Sequence, residues 1–357
     1  MRFSEITAAE NVVWLGVSHR RHAHAFLLAV AIVVSLGALM CAAPIWRLYA
    51  WLPSEALRSD RLRITHALAT TWHQNVPDVL LLGGSQIREI MPDDDFASAE
   101  LSVACGRTVR VLNAASSAQL PESAWAILDH FAQRPPPFIV VGSNLWRRSY
   151  DPANTHKLAR LLYLLPRPTT MPPDAGALPL SLVARGKAQI GILFADALAA
   201  SGFGRKVGRQ GNNPFAGRQH QYSGDAWTPE RKSMDARYQV MVAHEVSVEA
   251  LRANVRAHLA LAEAVAARGS RIGFLLTPYS PETDQAFREI EHTTSEAYAA
   301  LSQASALLDL RQGLGLQTTD FYDTVHLLSS GRRKLWPSLK MYLLSGLRGC
   351  GPKVIPT

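Results

Sequence analysis

Charge is scarce in this chain. Asp, Glu, Lys and Arg together make up 18% of its 357 residues, below the roughly one quarter usual in soluble domains. That deficit points to a part of the chain that sits in lipid. Cysteine is scarcer still: Cys41, Cys105 and Cys350 are the three in the sequence. Three cysteines cannot build a disulfide scaffold, and their spacing matches no zinc site. No Walker loop is present, and no GxGxxG follows an apolar strand-like run, so nucleotide and dinucleotide chemistry lack support. No cofactor and no metal are expected. The basic residues are scattered and carry no DNA- or RNA-binding signature, so nucleic acid is not an expected partner. No internal repeat is visible.

What is present begins with apolar content. Hydrophobic residues make up 48%, enough for a sizeable buried core. The 37 basic and 29 acidic residues leave a formal charge of +8. This balance suits anionic lipid headgroups or an anionic polymer, although a basic host proteome would produce it as well.

One uncharged run, AFLLAVAIVVSLGALMCAA, spans Ala25 to Ala43. At 1.5 Å per residue its length nearly matches a hydrocarbon core of ~30 Å. It is apolar all round, unlike a helix that packs one face on a soluble core. The reading is a transmembrane anchor over 25–45, with 1–24 as a cytoplasmic tail. A cleaved signal peptide is the competing reading, because Cys41-Ala42-Ala43 approaches a small-x-small site. Pro44 follows directly and disfavours cleavage, and Met40 makes Cys41 a poor lipid-attachment site. Cys41 itself then reads as a small hydrophobe. Arg20 and Arg21 lie before the run, Arg47 and Arg58 after it, so flanking charge biases orientation weakly. The short N-terminal side and large C-terminal body place the body outside the cytoplasm. Trp46, Tyr49 and Trp51 suit an aromatic belt at the outer interface. In such a compartment Cys105 and Cys350 could pair, and spacing alone leaves that open.

Residues 46–76 read as a stalk, polar and helical from 52. After them come short apolar runs of the buried-strand kind: Val79–Gly83, Val109–Leu112, Phe138–Gly142, Ile272–Thr277 and Leu307–Leu310. Helical patterns separate them. One covers Pro121–Gln133. Another covers Val248–Arg268, with Leu251, Val255, Leu259, Ala262 and Val265 along one face and Gly269 as its stop. Alternating strands and helices predict an α/β domain over 77–345, with a mostly parallel sheet covered on both faces. The rhythm breaks between about 150 and 240, a Pro-, Gly- and Arg-rich stretch read as an insertion over the catalytic edge; a disordered linker is the competing reading for its Arg/Gly part. Residues 346–357 read as a tail.

The chemistry-bearing signals follow the strands. The run Asp78-Val-Leu-Leu-Leu-Gly-Gly-Ser85 ends an apolar strand in Gly83 and Gly84 and presents a serine at a helix start. Open α/β sheets place their sites at that carboxyl edge. Taken alone, Gly-Gly-Ser is more often a plain turn. Far downstream, Asp323-Thr-Val-His326 supplies a base and a carboxylate to orient it, which is what a serine nucleophile requires. Between them, Asn113 closes the strand RVLN and precedes Ala114-Ala115-Ser116-Ser117, and Asn144 closes FIVVGSN. Amides there would converge on Ser85 and could donate to an oxyanion, although a turn asparagine satisfied by its own loop is the commoner occurrence.

Taken in order, these four pieces resemble the conserved blocks of the SGNH (GDSL-type) hydrolase superfamily. The resemblance implies a three-layer α/β/α sandwich of flavodoxin-like topology. It implies Ser85 as nucleophile, His326 as base and Asp323 as its orienter. The oxyanion hole would comprise Asn144 and the backbone N–H groups of Ser85 and Ala115 or Ser116, with Gly83, Gly84 and Asn113 in support. The chain departs from the family where Gly84 replaces the usual aspartate and where Ala115 or Ser116 replaces a glycine. Those departures resemble the membrane-anchored branch that works beside membrane-bound O-acyltransferases in the bacterial inner membrane. Three functions are then in play. One is O-acetylation of an exported or surface polysaccharide, with the bilayer, a membrane-bound O-acyltransferase and a polysaccharide acceptor as partners. The second is an esterase or deacetylase of surface glycans. The third is an inactive anchored scaffold.

Overall fold

The apolar runs become strands. In the computed structural model β1 is Val79–Leu82, β2 Val111–Asn113, β3 Phe138–Gly142, β4 Arg271–Leu276 and β5 Ala306–Asp309. The structure describes residues 24, 26–28, 30, 31, 35, 45–51, 60–71, 76–117, 119, 121–142, 214–216, 225–244, 248–311 and 313–350. The strands pair in the order β2-β1-β3-β4-β5, and every neighbouring pair is parallel. This is the 2-1-3-4-5 order of doubly wound, flavodoxin-like sheets.

Helices flank the strands: α1 (Asp60–Thr70), α2 (Ser85–Ile90), α3 (Asp94–Cys105), α4 (Pro121–His130), α5 (Pro229–His244), α6 (Val248–Ala267), α7 (Pro281–Ala304) and α8 (Ser329–Gly346). Because side chains alternate along a strand, each strand feeds two cores. Leu80, Leu82, Ile139, Val141, Phe274 and Leu276 pack with α1, α4, α6 and α7. Val79, Leu81, Phe138, Val140 and Leu275 pack with α2, α3 and α8. With both faces covered, the strands lack polar residues until their ends, which explains why they read as continuous apolar runs. The result is α/β/α layering.

Two boundaries differ from the sequence expectation. Residues 60–70 are helical as expected, but they are not a stalk. Leu62, Ile64 and Leu68 are almost wholly buried, so α1 is a layer of the domain. The stretch alternates polar and apolar residues too evenly to reveal which face is covered. At the other end Leu347 and Cys350 are buried, and Cys350 is disulfide-bonded to Cys105 at the end of α3. The domain therefore runs to residue 350.

The expected anchor falls mostly outside the described residues. His24, Phe26, Leu27, Leu28, Val30, Ala31 and Ser35 are helical, and Phe26, Leu27, Leu28 and Val30 are exposed. Among the described residues no helix is long and apolar enough to cross a membrane. Of the expected insertion, a short 3-10 turn at Pro214–Ala216 is described. Its Phe215 packs edge-on against Phe96 of α3. Residues 225–240 are described as well, and from Pro229 they form α5, which packs on α7.

Candidate active site

Gly83 is the first requirement of the site. Its φ of +141° is one that L side chains rarely adopt, and a Cβ there would meet Ile87 and the Gly142 backbone. Gly142, at the end of β3, leaves the same Ile87 side chain its room. The two glycines let β1 turn sharply into α2 beside β3. Ser85 thus stands between the carboxyl ends of β1 and β3, where connections leave the sheet in opposite directions and open sheets bind ligands. Gly84 precedes the helix with extended backbone, and a side chain there would meet open space. The missing aspartate of the resembling family is therefore not a matter of room.

The loop after β5 brings the other two residues. Thr318–Asp320 forms a 3-10 turn closed by a reciprocal cap between Gln317 and Asp320. A bridge between Phe321 and Leu327 pinches the following segment, and the Tyr322 amide donates to the His326 carbonyl at 2.8 Å. Inside that pinch Asp323 and His326 face each other. His326 Nδ1 lies 2.7 Å from Asp323 Oδ2, and His326 Nε2 lies 2.8 Å from Ser85 Oγ. Asp323 Oδ1 accepts the amides of Val325 at 2.9 Å and His326 at 2.8 Å. Burial would raise the Asp323 pKa, but the hydrogen bond and charge of His326, with the two amides, hold it below the usual carboxylate range. All three residues are buried, none exposed by as much as a tenth. A carboxylate fixed on Nδ1 leaves Nε2 as the acceptor facing the hydroxyl, the arrangement that lets a serine lose its proton as it attacks.

The β2 side is arranged differently from expectation. Asn113 Nδ2 donates to the Ile87 and Arg88 carbonyls at 3.4 and 3.3 Å, so its amide braces α2 instead of facing an oxyanion. Its Oδ1 accepts the Ala115 amide at 3.1 Å, and the Ser116 amide donates to the Gly83 carbonyl at 3.0 Å. The two backbone donors expected from this loop are therefore engaged. Asn144 lies outside the described residues. Trp227 is half-buried, with the Arg231 guanidinium 4.1 Å over its ring and its amide donating to the Tyr322 carbonyl. It anchors the loop that carries Asp323 and His326.

Residues that the sequence reading did not single out hold the site in place. Gln119 accepts the Gly83 amide at 2.6 Å and donates to the Ala114 carbonyl at 2.7 Å, stapling the β1 turn to the β2 loop. On α2 itself Arg88 and Glu89 are fully buried and paired. Arg88 also bonds Asp60 of α1 and Ser117. Glu89 accepts Arg332 of α8 at 2.6 Å, and Arg332 also reaches the Glu89 and Phe215 carbonyls at 2.6 Å. Burial pushes the Arg332 guanidinium down to about 10 although Glu89 opposes the shift. From α5, buried Lys232 donates to the Thr318 and Phe321 carbonyls at 2.8 and 3.0 Å, and Asp235 accepts the Thr324 hydroxyl at 2.8 Å. Under α3, Asp94 accepts the Asn113 amide at 3.1 Å, and burial pushes its carboxyl up to about 6 despite the nearby Arg63. No protein-family model matches this chain, and no curated protein matches it either.

Proposed function

We propose that the chain is a membrane-anchored serine acyl-transfer enzyme of the SGNH kind, an O-acetyltransferase of exported or cell-surface polysaccharide. The observation that carries this reading is the unbroken hydrogen-bonded line from Asp323 through His326 to Ser85 at the switch point of a parallel sheet. An inactive scaffold has no need of that alignment. In the first half-reaction Ser85 Oγ bonds to the acyl carbonyl carbon, and the carbonyl π pair moves onto its oxygen. His326 Nε2 takes the hydroxyl proton. Collapse of the tetrahedral species expels the leaving group, which receives that proton from His326. In the second half-reaction a sugar hydroxyl repeats the sequence on the Ser85 ester and regenerates the serine. The Ser85 amide and Asn144 are the proposed oxyanion donors.

The Cys105–Cys350 disulfide supports a domain outside the cytoplasm, because such bonds persist in oxidising compartments. It agrees with 25–45 as a retained anchor in a bacterial inner membrane. There the bilayer and a membrane-bound O-acyltransferase would deliver the acyl group.

The test separates transfer from hydrolysis. Full-length protein is acylated with p-nitrophenyl acetate, and short saccharide acceptors are added. An acceptor held beside Ser85 gains a large effective concentration over a free one. Acylated saccharide should rise at the expense of acetate. Acetate dominant at every acceptor concentration, with the partner acyltransferase present, would replace transfer with esterase activity.

A further inference from the structure

Gln86, the residue after the nucleophile, is almost wholly buried, with 2% of its surface exposed. Its Oε1 accepts the Thr277 hydroxyl at 3.2 Å. Its Nε2 is buried and has no hydrogen-bond partner among the described residues. A buried amide donor left unpaired is costly, and such groups call for an explanation. Thr277 follows β4, and β4 is separated from β1 by β3. At ~4.8 Å per strand, the Gln86 side chain must lie across the carboxyl end of β3, on the side from which the β5 loop brings His326 to Ser85. Opposite, on the β2 side, the Ala115 and Ser116 amides are already engaged.

We infer that Gln86 Nε2 is an oxyanion donor, supplied from the β3–β4 side in place of the occupied β2-loop amides. This rests on the proposed acyl transfer at Ser85. As Ser85 Oγ bonds to the acyl carbon and the π pair moves to oxygen, that oxygen gains a full negative charge. Gln86 Nε2–H donates to it, keeps its proton throughout, and is unpaired again when the pair returns and the leaving group departs. A donor held ready by Thr277 needs no reorganisation, which is what makes such groups effective in a water-poor site.

The experiment compares wild type, Gln86→Met, Gln86→Glu and Ser85→Ala in the full chain. The acylation burst with p-nitrophenyl acetate is read alongside the urea midpoint. Loss of one oxyanion donor should slow acylation about 100-fold at nearly unchanged KM, in both Gln86 variants. Gln86→Met should stay close to wild type in urea midpoint, because it removes one unpaired donor, Nε2, and leaves another, the Thr277 hydroxyl, in its place. A residue that merely packs would instead lower the midpoint and leave the burst rate alone. In wild type, phosphonylation of Ser85 by a fluorophosphonate should move the Gln86 side-chain amide proton downfield, a reading that needs no variant. Wild-type burst rates in the Gln86 variants, or an unmoved amide signal on phosphonylated protein, overturn the inference while acyl transfer stands. A wild type acylated no faster than Ser85→Ala overturns the acyl-transfer reading together with it.

Discussion

Asp323 and His326 are joined twice, side chain to side chain at 2.7 Å and carboxylate to the histidine's own amide at 2.8 Å. The second bond fixes the ring's position before any substrate arrives. A carboxylate that accepts three donors is hard to protonate.

The first prediction uses that property. The folded Asp323 pKa lies below the unfolded value of about 3.9. The stability it contributes is therefore complete above about pH 4 and lost as pH falls through the folded value. Asp323→Asn should flatten the fall in urea midpoint below pH 4. Its kcat should drop by about 10⁴ if the amide holds the wrong tautomer. Unchanged turnover would remove Asp323 from the machinery.

Asp94 predicts the opposite sign. Its folded pKa of about 6 exceeds the unfolded value. The folded state thus binds the extra proton between about pH 4 and 6, and stability decreases as pH rises through that window. Asp94→Asn should abolish this slope and raise stability at pH 7.5 by about 1–2 kcal/mol, with solvent screening at a half-buried site allowed for. Urea titrations at pH 5 and 7.5 measure it.

Much of the scaffold was legible because each strand is a short apolar run and both sheet faces are covered. Val79, Phe138 and Ile272 sit in strands as read, and Ser85, Asp323 and His326 meet as their residue types suggested. Illegible were the long-range pairings. Nothing local to Glu89 announces that Arg332, some 240 positions on, will pair with it. How Asn113 supports the site was illegible for a related reason. Its position past β2 is visible in sequence, but the turn of its amide toward α2 depends on tertiary contacts.

Ile87 gives the third prediction. Its side chain occupies the space that a Cβ at Gly142 would need. Gly142→Ala should destabilise by about 1–3 kcal/mol through overpacking and displace α2. Adding Ile87→Ala should restore part of the loss, as seen in a double-mutant cycle of urea midpoints. Strict additivity would mean that the two positions do not share this space.

Arg332→Met leaves buried Glu89 without its partner on α8. Breaking such a pair costs about 3–5 kcal/mol, and the acylation burst should slow because α2 carries Ser85. Combining it with Glu89→Gln should recover stability. A single variant as stable as wild type would refute the role given to this pair.

Reduction of Cys105–Cys350, or Cys105→Ser, should lower stability by about 2–5 kcal/mol while leaving turnover at 25 °C near wild type, since Cys105 ends α3 on the amino-edge side of the sheet and Ser85 follows β1 at the carboxyl edge. Denaturation with and without reductant measures the difference.

That bond also divides the chain into a closed ring and a free arm. With 245 positions between its ends, the ring holds β2 to β5 together with Asp323 and His326, while β1 and Ser85 lie on the arm. One backbone cut within the ring, including anywhere from 150 to 240, would open a circle without releasing a fragment. Nicked protein would then run as an intact chain until reduced. A cut between Ser85 and Cys105, by contrast, would detach Ser85 from His326 whatever the redox state.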